Sequence, residues 1–520
     1  MSGQIGTALV TGASSGIGRE TAIALARRGA VVGLVARRRE ELDAVAARIS
    51  ESCGRAIVLP ADVTDADALR EAASKFAAGA GGIDVLVAAA GVGVATPAWE
   101  FDSDVAQRMI DVNVTGLMNS VAAVVPHMLE RKRGRIVGLA SLAGFRGLPG
   151  NATYCAGKSA VIAFLEGIRI DLAPRGVGVS TICPGWVDTP MSDPNPAPKP
   201  LMLEVDAVAD AIVHSIEKGT GWVAIPRSVA ASIRFGQATP NALYDLVMKG
   251  RLWPFGVTES APMPVRRTPP TGAPLALVTG ASTGIGLALA KRLGREGYGV
   301  AMMARRGDVL AAAADEVRAS GAQVDTFELD VTNAGAFDAA LRVLKAKRGR
   351  LDLFVANAGT AGPTPGYALD AKNIRRIVDL NVGAFTQNVA SVARFMIEQG
   401  FGHIVGVASL AGYRGLPKSA VYSASKAYVR SFCESFRVDL APYGIAVTTV
   451  CPGFVKTPLN EGNRAPMPFL MTADAAAGEI WSAIRAKSAH HAFPWQLAAI
   501  MRAGQMMPNF VFDRAMGGKR

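Results

Sequence analysis

A chain of 520 residues is too long for one hydrophobic core and suits two domains of about 250 residues each. Half of its residues are hydrophobic and 19% are charged, which excludes long disordered tails and favours layered α/β structure. The formal charge of +12 raises the question of a nucleic-acid partner, but the Lys and Arg residues are spread over many helix-like stretches without an aromatic-interleaved stripe, so no nucleic acid is expected.

The chain opens directly on a buried-strand pattern, Thr7 to Val10, with no basic segment, apolar signal core or cleavage site, so no export is expected. Five cysteines (Cys53, Cys155, Cys183, Cys433 and Cys451) are odd in number and lack CxxC spacing, which fits a reducing cytoplasm and no metal site. The strand runs into TALVTGASSGIG (Thr7 to Gly18), where Gly12, Gly16 and Gly18 let the backbone turn tightly and, with Ser14 and Ile17, open a helix whose positive end suits a pyrophosphate. The motif returns as LALVTGASTGIG (Leu275 to Gly286), carrying Gly280, Ser282, Gly284, Ile285 and Gly286, at an offset of 268 residues. Solenoid periods are about 20 to 50 residues, so this repeat is a duplicated whole domain. Within each copy short apolar runs such as Val31 to Val35, Val85 to Val87, Ile136 to Leu139 and Val177 to Ile182 alternate with helical stretches. That pattern predicts two doubly wound parallel sheets of Rossmann type, in domains 1–256 and 272–520.

The second strand of each copy ends without the carboxylate that an NAD ribose would need. Instead Arg37 with Arg38, and Arg305 with Arg306, offer guanidinium groups to a 2'-phosphate, so NADP(H) is expected over NAD(H). At the next strand end Asp62 with Val63, and Asp330 with Val331, place a carboxylate that either accepts from an adenine amino group or caps a helix. Tyr154 and Lys158 stand four apart on a predicted helix and share a face, as do Tyr422 and Lys426. A phenol is a poor acid or base at pH 7 until an ammonium stabilises its phenolate, and the lysine would supply that charge. Ser141 and Ser409 precede the tyrosines by 13 residues at a strand end, where a hydroxyl can share a substrate oxygen.

Together these motifs resemble the short-chain dehydrogenase/reductase family over nearly all of both halves. The resemblance implies a tetrad of Asn113, Ser141, Tyr154 and Lys158, repeated as Asn381, Ser409, Tyr422 and Lys426, in which the asparagine holds a water that links the lysine to bulk. It implies tyrosine as the acid in reduction and the base in oxidation. It also implies that Pro184, Gly185 and Thr189, with Pro452, Gly453 and Thr457, line the nicotinamide side. In the family's NNAG element the second half reads ANAG, with Asn357 and Gly359, while the first reads AAAG, with Ala89 in the asparagine's place before Gly91. Alanine cannot make the backbone hydrogen bonds of an amide, so weaker cofactor binding is expected in the first half.

After each PG, Met191 to Leu203 and Leu459 to Met471 are rich in Pro, Met and Leu, consistent with a hydrophobic ketone or alcohol or with core packing; their charges differ, Asp193 and Lys199 against Glu461 and Arg464. Val257 to Thr271 carries four prolines and reads as an extended linker. The longest uncharged stretch, Thr268 to Ala290, is broken by Pro and Gly and is no membrane span. The apolar tail from Phe493 to Arg520 is expected to pack on the neighbouring domain in preference to a membrane surface. Family members pair through helices beside the active site, which implies an internal pseudo-dimer. The competing reading is a nucleotide-binding scaffold whose first half is silent.

Overall fold

The computed structural model describes residues 5–192, 199, 201–226, 228, 239–248, 265–461 and 466–517. Asp193, Arg464, Lys519, Arg520 and linker residues 257–264 lie outside the described residues.

The first half runs β1 (Thr7–Thr11), α1 (Gly16–Arg27), β2 (Val31–Ala36), α2 (Arg39–Glu51), β3 (Arg55–Pro60), α3 (Ala66–Ala80), β4 (Val85–Ala88), α4 (Ser103–Ile110), α5 (Gly116–Glu130), β5 (Gly134–Leu139), α6 (Ala152–Leu172), β6 (Val177–Pro184), α7 (Val205–Lys218), β7 (Trp222–Ile225) and α8 (Asn241–Leu246). The second repeats it as β8 (Leu275–Thr279), α9 (Gly284–Arg295), β9 (Gly299–Ala304), α10 (Gly307–Arg318), β10 (Val324–Glu328), α11 (Ala334–Arg348), β11 (Leu353–Ala356), α12 (Ala371–Val378), α13 (Phe385–Gln399), β12 (Gly402–Val407), α14 (Ala420–Leu440), β13 (Ile445–Pro452), α15 (Ala473–Arg485) and β14 (His490–Phe493), then α16 (Trp495–Met506) and α17 (Asn509–Met516).

Each half folds into a seven-stranded sheet, in the orders β3-β2-β1-β4-β5-β6-β7 and β10-β9-β8-β11-β12-β13-β14. All paired strands among the described residues are parallel. The central strands β1, β4, β8 and β11 are buried along their whole length, which is why their sequences are apolar runs without alternation. Strand order reverses beside β1 and beside β8, so each sheet opens a crevice at the carboxyl ends of those strands, where the glycine loops lie.

The halves pack against each other along α6 and α14, the most extensive helix contact among the described residues. Gly147 makes the close approach possible: a Cβ there would lie 2.3 Å from the Ser431 carbonyl oxygen. Several contacts across the interface come in pairs related by the repeat. Arg414 Nε donates to Glu166 at 3.0 Å, and Arg146 meets Glu434 at 2.6 Å. Arg169 holds Asp513 at 2.8 Å, and Arg437 holds Asp245 at 2.6 Å. The Asp513 contact ties α17 to the first half, and Phe512 beneath it is buried, while Trp495 and Phe510 point outward. The end of the linker before β8 lies on the second half, with Arg266 donating to the Pro442 carbonyl at 2.8 Å.

One helical run among the described residues, Ser103–Glu130, has the length and apolar composition of a membrane span, but 78% of its apolar window is buried inside the fold, as befits a core helix.

Candidate active site

Each glycine loop is shaped by steric necessity. Gly12 and Gly16 take φ of +70° and +52°, and Gly280 and Gly284 take +63° and +57°. A Cβ on Gly18 would lie 2.2 Å from the Gly12 carbonyl oxygen, so this third glycine closes helix onto strand. Thr189 sits over Gly16 and Thr457 over Gly284, 3.3 and 3.0 Å from where a Cβ would stand, which brings the segment after the PG pair onto the loop.

In the second half a cleft of about 490 Å³ gathers Gly280, Ser282, Gly284, Ile285, Arg305, Arg306, Asp330, Val331, Asn357, Gly359 and Thr457. Gly286, Pro452 and Gly453 are not in its lining. Gly286 lies beneath the loop, Pro452 accepts a hydrogen bond from Ser409 Oγ at 3.3 Å, and Gly453 abuts Pro494 and Leu497. Met303, Leu329, Leu380 and Leu459 complete the wall, apolar residues that sequence patterning cannot tell from core. Residue size and glycine placement fit a dinucleotide with its pyrophosphate on the loop.

The arginines and aspartates at the far end meet. Arg37 lies 3.9 Å from Asp62, and Arg305 lies 3.6 Å from Asp330, with both guanidinium groups largely exposed. Of the two readings of Asp62, the helix cap is corrected: α3 is capped by Asp65, and its counterpart by Asn333. Asp62 Oδ1 instead accepts from the N–H and hydroxyl of Thr64, both at 2.9 Å, leaving Oδ2 toward Arg37. Burial works to raise the Asp330 carboxyl, but the Thr332 N–H and hydroxyl and the Arg305 guanidinium bring it below its ordinary value. Val63 packs under α5, where its carbonyl accepts from Asn119 at 3.2 Å.

The chemistry end is nearly identical in the two halves. Ser141 lies close enough to Tyr154 to work against the burial that raises its phenol, and Ser409 does the same for Tyr422. Lys158 Nζ donates to the Leu139 carbonyl at 3.0 Å and lies 5.7 Å from the Tyr154 ring centre; Lys426 does the same with Val407 at 3.0 Å and Tyr422 at 5.8 Å. Gly91 and Gly359 stand beside these lysines, 3.8 and 3.5 Å from where a Cβ would be, and Met191 lies over Gly93 beside Tyr154. Burial pushes Tyr154 up to about 12 and raises Tyr422, while it pulls both lysines down to about 8. The sequence suggests an ammonium that lowers the phenol. In the protein alone burial raises both phenols instead, so both tyrosines stand neutral at pH 7.

Asn113 and Asn381 sit on π-helical turns, Asp111–Thr115 and Asp379–Ala384, that re-register the helix. Asn113 Oδ1 and Nδ2 both bond the backbone of Val92 at 2.8 Å, and Asn381 bonds Thr360 in the same way. Their side chains thus tie the loop after β4 or β11 to the following helix.

The ANAG and AAAG difference has a visible consequence. Asn357 Nδ2 donates to the Thr279 carbonyl at 2.9 Å, and the N–H groups of Asn357 and Ala358 both reach Thr279 Oγ1. In the first half the Ala89 N–H goes to the Thr11 carbonyl, and Thr11 Oγ1 is buried without a partner.

A family model described as short chain dehydrogenase matches residues 6–199 and again 274–468, together about three quarters of the chain. The protein belongs to this family, and it carries the family's domain twice. An uncharacterized oxidoreductase of Myxococcus xanthus is 46% identical over 240 residues, covering 46% of this chain and 95% of its own. A 3-oxoacyl-[acyl-carrier-protein] reductase of Synechocystis is 37% identical over 242 residues, covering 46% of this chain and 91% of its own. The solved 3-oxoacyl-[acyl-carrier protein] reductase of Brucella melitensis with bound NAD is 31% identical, with a TM-score of 0.40 over 43% of this chain and 90% of that one.

Proposed function

We propose that the protein is an NADP(H)-dependent oxidoreductase interconverting a ketone or aldehyde and an alcohol, with one site in each half. The domains are taken as 1–256 and 272–520 joined by 257–271, working as an internal pseudo-dimer on a small molecule in the cytoplasm; the five free cysteines accord with that compartment. The observation that carries this reading is the duplicated Ser, Tyr and Lys group at the end of the crevice, with the same partners and distances in both copies.

The bound dinucleotide would supply or accept the hydride, held by the glycine loops, Thr189 and Thr457, with Arg37, Arg38, Arg305 and Arg306 toward a 2'-phosphate. In reduction the neutral phenol of Tyr154 or Tyr422 gives its proton to the carbonyl oxygen, which Ser141 or Ser409 also holds. The lysine ammonium then stabilises the phenolate until a proton returns from solvent, by way of the turn at Asn113 or Asn381. Met191 and Leu459 favour an apolar substrate face.

Ala89 and the orphaned Thr11 hydroxyl favour a second reading, a first half that supports the other without turning over. NADPH oxidation is followed against a panel of ketones and aldehydes for wild type, Tyr154→Phe, Tyr422→Phe and the double variant. Two separable activities uphold the two-site reading. Loss with Tyr422→Phe alone makes the first half a support domain, and tight NADPH binding without turnover in any protein rejects the enzyme.

A further inference from the structure

Tyr154 and Tyr422 lie in the first turn of α6 and α14, so whatever fixes the start of each helix fixes the phenol. Each start is joined to the loop after the fourth strand of its own half. Thr96 N donates to the Gly150 carbonyl at 2.7 Å and Thr364 N to the Lys418 carbonyl at 2.8 Å, and Thr96 Oγ1 and Thr364 Oγ1 accept from the first-turn N–H groups of Thr153 and Val421.

The N–H groups that this joint leaves over are met from the opposite half. Asp439 accepts from Gly150 at 3.0 and 3.2 Å and from Ala98 at 3.3 Å. Asp171 accepts from Lys418 at 3.2 and 3.0 Å and from Gly366 at 2.8 Å. Both carboxylates are almost wholly buried, 3% and 5% exposed. A carboxylate taken out of water is expensive unless its oxygens are bonded, and here N–H groups of the opposite site's two loops do the bonding.

We propose that each half positions the acid-base tyrosine of the other, Asp439 for Tyr154 and Asp171 for Tyr422. These are positioning residues, since they touch neither substrate nor phenol. The proposal rests on reading the two tyrosines as the acid-base groups.

The full chain is used for the test. Amide exchange in Asp439→Asn rises about ten-fold at residues 96–98 and 148–153, the loss of roughly one charge-assisted hydrogen bond, while 364–366 and 416–421 stay protected; Asp171→Asn gives the mirror pattern. In a Tyr422→Phe background, Asp439→Asn lowers kcat about ten- to a hundred-fold, since small misplacements of an acid are costly, and leaves KM for NADPH unchanged. Exchange that rises equally in both halves, or activity losses that fall on the carboxylate's own half, overturns the proposal. If one aspartate variant does not fold, the other decides, because the two clamps repeat one geometry. A wild type without turnover removes the enzyme reading, while the crossed exchange pattern still decides the clamp.

Discussion

Thr11 and Thr279 hold the same place in two copies of one loop, yet only Thr279 has partners for its hydroxyl. The sequence shows the cause, alanine for asparagine at Ala89, but not that a threonine hydroxyl would be stranded by it. Ala89→Asn is expected to stabilise the first half by about 1 kcal/mol and tighten NADPH binding there, read by urea unfolding and titration. Unchanged stability and affinity would count against it. The paired lysines make a second case, legible in the YxxxK spacing, whereas their depressed pKa depends on burial that spacing does not show. A drop from 10.5 to about 8 is a cost on the order of 3 kcal/mol for each ammonium at pH 7. Between pH 8 and 10.5 the unfolded chain binds more protons than the native one, so stability contributed by these groups rises with pH in that window. Lys158→Met should therefore abolish turnover at the first site while its stability relative to wild type is greatest near pH 7 and shrinks toward pH 10. A stability difference that ignores pH would show that Lys158 is not the buried ammonium described.

Strands and helices follow the apolar runs closely, since strands buried on both faces leave an unbroken signal; β2 exceeds the run Val31 to Val35 by one residue. What the pattern does not reveal is which helix faces which. Helix α14 buries Phe432 between Phe436, Phe101 and Phe385, with ring centres 4.3 to 6.0 Å apart, and Phe101 comes from the other half. No periodicity distinguishes such a residue from an ordinary core position. Phe432→Ala should cost about 3 to 5 kcal/mol, measured by denaturant unfolding. A loss below 1 kcal/mol would mean that the rings can close the gap. The π-helical turns at Asn113 and Asn381 were likewise invisible, because an inserted residue in a helix leaves hydrophobic spacing almost intact.

The duplicated domain is plain in the sequence from its offset, while the interface between its copies is not, because nothing in the sequence pairs the loop residues Arg146 and Arg414 with the helix residues Glu434 and Glu166 until the fold brings them together. Arg414 reaches Glu166, two carbonyls of the tail and Asn509, so Arg414→Ala should remove about 3 to 5 kcal/mol by leaving Glu166 buried without its cation. Calorimetry should then show the halves melting apart where wild type melts together, and one unshifted transition would refute it. The two halves also differ where they match most closely: Tyr413 meets His490 at 2.6 Å where the first half stacks Phe145 edge-on against Trp222. In a pair of identical chains every substitution at a two-fold contact appears twice and must suit both sides at once. Here a single gene carries both sides, so each can drift alone, and an altered pocket in one half need not be bought with the same alteration in the other.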